Sequence, residues 1–281
     1  MQIGALTARF GSDKWSLDQV LDWAAKAKID CLEVSVKHGH IHLDQALQKG
    51  PREDLLYKFR TAGVGISALA CYSGDIASPD APKRKAAIDE LLKTIDAAEA
   101  LNVGTVCALA GMPLPGKSKL ETIREELPGI FGPILEHARK KNVRIALENW
   151  WRTNIQHLDH WKALFEVLPQ ENFGLNFDPS HLDKMEIDYL SAVSEFKSRI
   201  FHTHAKDVVV DEAARRRIGV FDGADSRFTI PGTGRIRWPE YIGRLREIGY
   251  DGVLSIEHED KTFSSVDGFR VGAAYLRQFI A

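Results

Sequence analysis

The sequence lacks a long apolar run of the kind that a membrane-spanning helix needs, which is about 18 or more consecutive hydrophobic residues. It also lacks a block of basic residues, and its formal net charge is −2. Because a nucleic-acid-binding surface needs clustered lysine and arginine, neither a membrane nor a nucleic acid is expected as a partner. An apparent strand begins at Gln2, which leaves no room for a signal peptide.

Cysteine is scarce, and its spacing matches no metal or redox motif. Cys31, Cys71 and Cys107 each lie in or beside an apparent strand, and no CxxC pair occurs. Unpaired, buried thiols are typical of a reducing compartment and not of a disulfide-stabilised secreted domain. We therefore expect a cytoplasmic protein.

Strand-like and helix-like patterns alternate along the whole chain. Right-handed strand–helix–strand crossovers repeated in this way close into a (β/α)8 TIM barrel. An open, doubly wound sheet is the alternative, but no GxGxxG motif follows the first strand. The apparent strands begin near Gln2, Asp30, Val64, Val103, Val143, Phe173, Arg199 and Gly252.

No low-complexity linker divides the chain, so we predict a single α/β domain over residues 1–281. The longest interval between strands contains an extra segment, residues 208–237. We expect this segment to lie over the carboxyl-terminal face of the barrel, as either a lid or a subunit contact. The helix predicted over 118–141 contains Pro128 and Pro133 and is expected to be broken or kinked.

Polar residues end four of the predicted strands, where a hydrophobic core would favour apolar ones. The last four strands end at or just before Glu148, Asp178, His204 and Glu257. Alternation with apolar neighbours in IALEN and LSIEH aims both glutamates at the barrel axis. Because active sites of these barrels lie at the carboxyl ends of the strands, the four side chains are expected to converge on one point.

Three carboxylates in a buried pocket repel one another unless a cation compensates them. With the imidazole of His204 they form a set of three oxygen ligands and one nitrogen ligand. Such a set suits one divalent ion, with Mn²⁺ as the first choice and Mg²⁺, Co²⁺ or Zn²⁺ as alternatives. Each acidic residue alone is more typical of a helix cap or a surface ion pair, so the prediction depends on the whole set.

Three further residues are predicted to contact a substrate. His181 leaves the sixth strand beyond its acidic end and is better placed to touch a substrate than an ion. Trp150 follows the fifth strand, where an aromatic ring can stack on the apolar face of a sugar, although helix–barrel packing is the alternative. Lys206 lies just beyond the seventh strand. His202 is interpreted as a packed or supporting histidine.

Several motifs together resemble the sugar phosphate isomerase/epimerase family, also called the xylose isomerase-like TIM barrels. They are ALENWW, GLNFDPSHL, FHTHAKD, GTGRIRWPEYIGRLREIGYDG and LSIEHED, and the likeness is strongest from Val143 onward. The resemblance implies that the family's shared metal ligands fall on the four strand-end residues. That superfamily includes ketose 3-epimerases, hydroxypyruvate isomerases, inosose isomerases and dehydratases, and a DNA-repair endonuclease branch.

Likeness to the ketose epimerases implies individual roles. It implies that Glu148 and Glu257 form the acid/base pair, and that His181 contacts the substrate. One position departs from the pattern, because Val210 stands where those epimerases have a substrate-binding arginine.

The working hypothesis is a divalent-metal-dependent isomerase or epimerase that moves a proton on a sugar or keto-polyol through a cis-enediolate. A lyase of the same family, either an inosose-type dehydratase or a β-eliminating deglycosylase, shares the first step and stays open. A non-catalytic sugar-binding subunit is the least favoured alternative. Arg215, Arg216 and Arg217 form a solvated or subunit-facing charge run, so a homo-oligomer also stays open.

Overall fold

A closed barrel of eight parallel strands forms the centre of the fold in a computed structural model that describes residues 1–220 and 223–280. Each barrel strand begins within two residues of its predicted start, and the (β/α)8 prediction is confirmed. The barrel strands are β1 (Gln2–Leu6), β2 (Cys31–Ser35), β3 (Gly65–Cys71), β4 (Thr105–Ala108), β5 (Arg144–Glu148), β6 (Phe173–Phe177), β7 (Ile200–Ala205) and β10 (Val253–Ile256).

Neighbours along the chain are also neighbours in the barrel. The strand order is β1-β10-β7-β6-β5-β4-β3-β2, and β1 closes the ring by pairing with both β10 and β2. The four strands that end in the predicted ligands are therefore consecutive in space. Their carboxyl ends open on one mouth of the barrel because all pairs are parallel.

A two-stranded antiparallel hairpin interrupts the repeat after β7. Its strands are β8 (Asp207–Val210) and β9 (Ser226–Thr229), and both belong to the extra segment predicted over 208–237 or adjoin it. Phe221 and Asp222, within that segment, lie outside the described residues.

Helices cover the outside of the barrel. They are α1 (Ala8–Ser12), α2 (Leu17–Lys26), α3 (Leu43–Leu47), α4 (Lys49–Ala62), α5 (Ala81–Ala100), α6 (Lys119–Glu121), α7 (Leu127–Lys140), α8 (Leu158–Val167), α9 (Pro179–Lys184), α10 (Tyr189–Glu195), α11 (Glu212–Ile218), α12 (Trp238–Glu247) and α13 (Ser265–Ile280). Short 3₁₀ turns span Gly74–Ala77 and Lys197–Arg199.

Local sequence explains several helix boundaries. Ser16 and Gln19 form a capping box at the start of α2, with each side chain bonded to the other's backbone N–H. The interruption predicted over 118–141 is confirmed: a π-helical turn over Thr122–Glu126 separates α6 from α7, and Pro133 lies inside α7. The first strand is short: β1 ends at Leu6, and α1 begins at Ala8.

The barrel has two different buried regions. Between the strands and the helices lies a continuous apolar core. Inside the barrel, by contrast, the side chains are small or polar: Ala68, Cys107 and Ala146 form a separate cluster. Five polar residues, all buried, share this interior: Glu33, Asn176, His202, His204 and Ser255. This polar interior supports the site at the mouth.

Candidate metal centre

The four predicted ligands meet at the carboxyl ends of their strands. Glu148, Asp178, His204 and Glu257 each offer one ligand atom, and these atoms all lie within 4.8 Å of one another. Nδ1 of His204 is 3.0 Å from a Glu257 oxygen and 3.8 Å from one oxygen each of Glu148 and Asp178. Donors bound to one ion at about 2.0–2.2 Å lie roughly 3–4 Å apart, so these spacings suit a shared ion.

Asp178 is held by the sequence that follows it. Its Oδ1 accepts hydrogen bonds from the backbone N–H and the hydroxyl of Ser180, at 2.8 and 2.6 Å, so it caps the short helix α9. The Asn149 side chain bonds both backbone groups of Asp178, at 2.7 and 2.9 Å, and ties the end of β5 to the end of β6. Oδ2 is therefore left to face the barrel mouth.

His181 lies beside Glu148, inside the cluster and not at the rim of the barrel. Its Nε2 is 3.2 Å from Oε1 of Glu148 and 3.3 Å from Nζ of Lys206, and the ring is almost fully buried. Burial alone would raise the pKa of Glu148, but the hydrogen bond from His181 and the charge of His204 hold it below its ordinary value. The Glu148 carboxylate is therefore ionised.

His204 uses its two nitrogens for different partners. Nδ1 faces the three carboxylates, and Nε2 lies 3.1 Å from Oε2 of Glu33 on the opposite side of the ring. Burial alone would lower the pKa of His204, but the charges of Glu33 and Glu257 raise it well above its ordinary value. Without a metal ion, the ring therefore balances part of the carboxylate charge.

Lys206 sends its ammonium group into the same cluster. Nζ lies 2.6 Å from Oε2 of Glu257 and 3.2 Å from Oδ2 of Asp178, although Lys206 is only 1% exposed. Burial alone would lower its pKa, but Asp178 and Glu257 raise it well above its ordinary value. Burial alone would raise the pKa of Glu257, and Lys206 lowers it to about 2.

Two buried atoms at the centre show that the residues fit a metal ion. Among the described residues, Oδ2 of Asp178 and Nδ1 of His204 have no hydrogen-bond partner. Nδ1 lies 3.0 Å from Glu257 and Oδ2 lies 3.2 Å from the Lys206 ammonium group, but neither contact is a hydrogen bond. Both atoms belong to the set whose ligand atoms lie within 4.8 Å of one another, so one ion would give each of them a further partner.

An aromatic rim lies at the mouth above this cluster. Trp150, Trp151, Phe228 and Glu259 line one pocket there. The Phe228 ring, on β9 of the hairpin, lies edge-on to His181 at 4.9 Å and under Nζ of Lys206 at 4.5 Å. The hairpin thus reaches the cluster. Stacking of a sugar on Trp150 stays a prediction.

Residue patterns predicted the four residues that meet at the mouth but not the groups around them. Glu33, Tyr72 and Asn176 contact His204 and were not predicted. One signal was present for the first of them, since CLEVS places an acidic residue between apolar ones, as IALEN does. His202 was interpreted as supporting, and its Nδ1 lies 2.9 Å from Oδ1 of Asn176.

The closed parallel barrel places the protein in the class of (β/α)8 barrels. Its carboxylates and histidine lie at the carboxyl-terminal mouth, where proteins of this class have their functional sites. Within that class, the chain belongs to the Xylose isomerase-like TIM barrel family, whose model matches residues 21–279.

Two curated relatives differ in how much of the chain they match. YfiH of Bacillus subtilis (strain 168), described as uncharacterized, is 27% identical over 94% of this chain and 95% of its own. An inosose dehydratase of Lacticaseibacillus casei is 28% identical over 44% of this chain and 43% of its own. The chain therefore aligns with less than half of that dehydratase.

Solved structures share the fold over the full length. The IolI protein with a bound zinc atom superposes with a TM-score of 0.79 at 20% identity, covering 100% of this chain and 98% of that one. A D-psicose 3-epimerase gives a TM-score of 0.70 at 17% identity, covering 100% and 99%. At these identities the likeness establishes the fold.

Two further findings concern the cysteines and the helices of the described residues. Cys31, Cys71 and Cys107 are buried and free of disulfides. Within residues 1–220 and 223–280, no helix is both long enough and apolar enough to cross a membrane.

Proposed function

We propose that the protein is a divalent-metal-dependent isomerase or epimerase that acts on a small sugar or keto-polyol. The observation that carries this proposal is the convergence of three carboxylates and one imidazole, two of whose ligand atoms have no hydrogen-bond partner. Glu148, Asp178, His204 and Glu257 would hold the ion, with Mn²⁺ the expected metal. The IolI protein, which shares the fold, has a solved structure with a bound zinc atom, which supports a metal ion in proteins of this fold.

Each proposed role follows from the position and charge of a side chain. Glu148 is buried and Glu257 is partly exposed, and the pKa of each carboxyl lies below its ordinary value. One of the two removes the proton next to the carbonyl, and the other returns it. His181, in contact with Glu148, orients a substrate oxygen. A bound ion would polarise the carbonyl and stabilise the negative charge of the enediolate. Lys206 offers a second positive charge beside the Glu257 carboxylate, and the ring of Trp150 offers a surface on which a sugar can stack.

Elimination is the second candidate reaction. The similarity to an inosose dehydratase, although limited to part of the chain, favours it. Both reactions begin when a carboxylate removes the proton next to a carbonyl, and they diverge only if a β-hydroxyl or glycosidic oxygen then leaves. The shape of the pocket above the cluster decides which substrate group faces Glu148 and Glu257.

One experiment distinguishes these reactions. The protein is incubated with ketoses, inososes and 3-keto-glycosides in D₂O with Mn²⁺, and products are followed by NMR and mass spectrometry. Deuterium at one carbon with otherwise unchanged mass identifies isomerisation, and loss of water or of an aglycone identifies elimination. Absence of both, with the ion bound, contradicts the proposed function and favours a non-catalytic subunit.

Replacing either proposed acid/base residue tests the mechanism. Glu148→Gln and Glu257→Gln each remove a proton-transfer group, for which a loss of about 10²–10⁴-fold in kcat is expected. Metal content is measured on each variant, so that loss of the ion is separated from loss of chemistry. Glu195→Gln, which alters a surface glutamate paired with Lys162, serves as the control and retains full activity. A variant at either site that keeps more than a few per cent of the wild-type rate contradicts the assignment.

A further inference from the structure

A buried carboxylate lies inside the barrel, directly beneath the ligand cluster. Glu33 in β2 is 0% exposed. Its Oε1 accepts a hydrogen bond from the Tyr72 hydroxyl at 2.6 Å, and its Oε2 accepts one from the Ser255 hydroxyl at 2.8 Å. The same Oε2 lies 3.1 Å from Nε2 of His204. A buried anion with three such neighbours is a built site and not a stray surface charge.

Barrel closure brings this carboxylate to the histidine. Around the ring, β2 is separated from β7 by β1 and β10, so Glu33 reaches His204 across the interior. Ser255, which bonds Glu33, pairs in register with His204 on the neighbouring strand. Small side chains such as Ala68 and Ala146 leave the space that this contact needs.

A second metal ion is the competing explanation for this group. Glu33, Cys107 and His202 also have potential ligand atoms within 4.8 Å of one another. However, both oxygens of Glu33 are already engaged by Tyr72 and Ser255, and Nδ1 of His202 lies 2.9 Å from the Asn176 side-chain oxygen. Both oxygens of Glu33 and Nδ1 of His202 therefore already have partners, whereas Oδ2 of Asp178 and Nδ1 of His204 in the other cluster have no hydrogen bond.

We propose that Glu33 is the positioning residue of the metal centre, which holds the proton of His204 on Nε2 and thereby presents an unprotonated Nδ1 to the ion. A neutral imidazole carries one N–H, and a neighbouring carboxylate, which can only accept, holds that N–H toward itself. The Tyr72 hydroxyl and the Asn176 amide nitrogen also approach Nε2, at 3.1 and 2.9 Å. The amide nitrogen can only donate and therefore opposes a proton on Nε2, whereas Glu33 is the neighbour whose negative charge attracts one. Glu33 is therefore the group that selects the tautomer.

Two hydroxyl groups hold the carboxylate in place inside the barrel. The hydroxyls of Tyr72 and Ser255 fix the orientation of the anion, because each donates to a different oxygen. Outer groups of this kind typically change metal affinity by about 10–100-fold when they are removed.

The test measures metal binding directly and does not depend on turnover. The inference rests on the metal site of the proposed function. The affinities of the protein for Mn²⁺ and Zn²⁺ are determined by competition with a fluorescent chelator. Glu33→Gln is expected to weaken binding about tenfold and Glu33→Ala up to about a hundredfold. Tyr72→Phe, which leaves the carboxylate in place but frees one oxygen, is expected to cause a smaller loss. Glu90→Gln, a carboxylate-to-amide change on α5 outside the cluster, is the matched control and binds like the wild type.

A second readout separates positioning from simple destabilisation. Long-range ¹H–¹⁵N NMR of the Zn²⁺-loaded wild type is expected to show the His204 proton on Nε2, and this signature is expected to be lost or mixed in Glu33→Gln. Unchanged affinity in Glu33→Gln and Tyr72→Phe overturns the inference. The inference is also overturned if each chain binds two ions and Cys107→Ser loses one of them, since Glu33 would then be a metal ligand. The two proposals can fail separately. If the wild type shows no turnover but the Glu33 variants bind the ion more weakly than it does, the inference is supported and the proposed reaction is contradicted.

Discussion

At the scale of the single residue, Lys206 determines the charge of the centre. The three carboxylates of the proposed metal site carry a formal charge of −3, and a divalent ion would bring the set to −1. The buried ammonium group of Lys206, 2.6 Å from Glu257, brings it to zero. The lysine therefore has two consequences: it stabilises the carboxylates without a metal, and it competes with a metal for them.

Removal of this cation is expected to strengthen metal binding. Lys206→Met leaves Asp178 and Glu257 without their ammonium partner, so the protein without metal is expected to be destabilised by about 3–5 kcal/mol, the cost of breaking a buried ion pair. Because an ion relieves that repulsion, the dissociation constant for Mn²⁺ is expected to fall by at least tenfold, as measured by chelator competition. Turnover is expected to fall as well, since the ammonium group faces the proposed substrate. A dissociation constant that stays the same or rises contradicts this role.

At the scale of the element, one carboxylate joins the hairpin to the rest of the fold. Asp207 opens β8, and its two oxygens accept four N–H hydrogen bonds at 2.9–3.0 Å, three from the backbone and one from the Trp238 indole. Gly234 lies so close that a Cβ there would collide with the Asp207 carboxylate. One anion therefore holds together three parts of the fold: strand β8 of the hairpin, the loop before α12, and the start of α12.

The stability of this anchor is tested by a change from carboxylate to amide. Asp207→Asn replaces one accepting oxygen by an NH₂ group that faces N–H donors, so a loss of about 2–4 kcal/mol in the free energy of unfolding is expected from the broken charged hydrogen bonds. Urea denaturation measures the change. Asp211→Asn is the matched control, because Asp211 caps the exposed start of α11 and asparagine caps a helix equally well. Equal stabilities of the two variants would show that Asp207 does not anchor the hairpin.

At the scale of the whole molecule, a bound ion would join four consecutive strands. The predicted ligands lie at the ends of β5, β6, β7 and β10, and a sequence separation of 109 residues lies between Glu148 and Glu257 (257 − 148). An ion that binds only the folded barrel stabilises it by mass action. Stability and metal occupancy are therefore expected to be coupled.

Metal removal is expected to lower the melting temperature. At a free Mn²⁺ concentration of 100 times the dissociation constant, the expected stabilisation is about 2.7 kcal/mol, and a chelator is expected to reverse it. Differential scanning fluorimetry with and without Mn²⁺ measures the shift. In Asp178→Asn, which loses one ligand oxygen, the metal-dependent part of the shift is expected to shrink. A shift of the same size in that variant would place the stabilising ion elsewhere.

Much of the fold was determined by patterns local in the sequence. Alternation of apolar residues in IALEN and LSIEH set which side chains face the axis, and Ser16 with Gln19 set the start of α2. Proline positions set the break between α6 and α7. The four residues of the proposed metal site were predicted from the same kind of pattern, since a polar residue at the end of a core strand departs from its apolar surroundings.

Only the tertiary structure decided which atoms of these residues meet. Glu33 and His204 are 171 residues apart, and nothing in either strand shows that the carboxylate faces Nε2 while Nδ1 faces the ligands. The same holds for Lys206 at Glu257 and for Phe228 of the hairpin against His181. The physical reason is that strand periodicity determines the face of each side chain, whereas contacts across the interior depend on the register and closure of eight strands together.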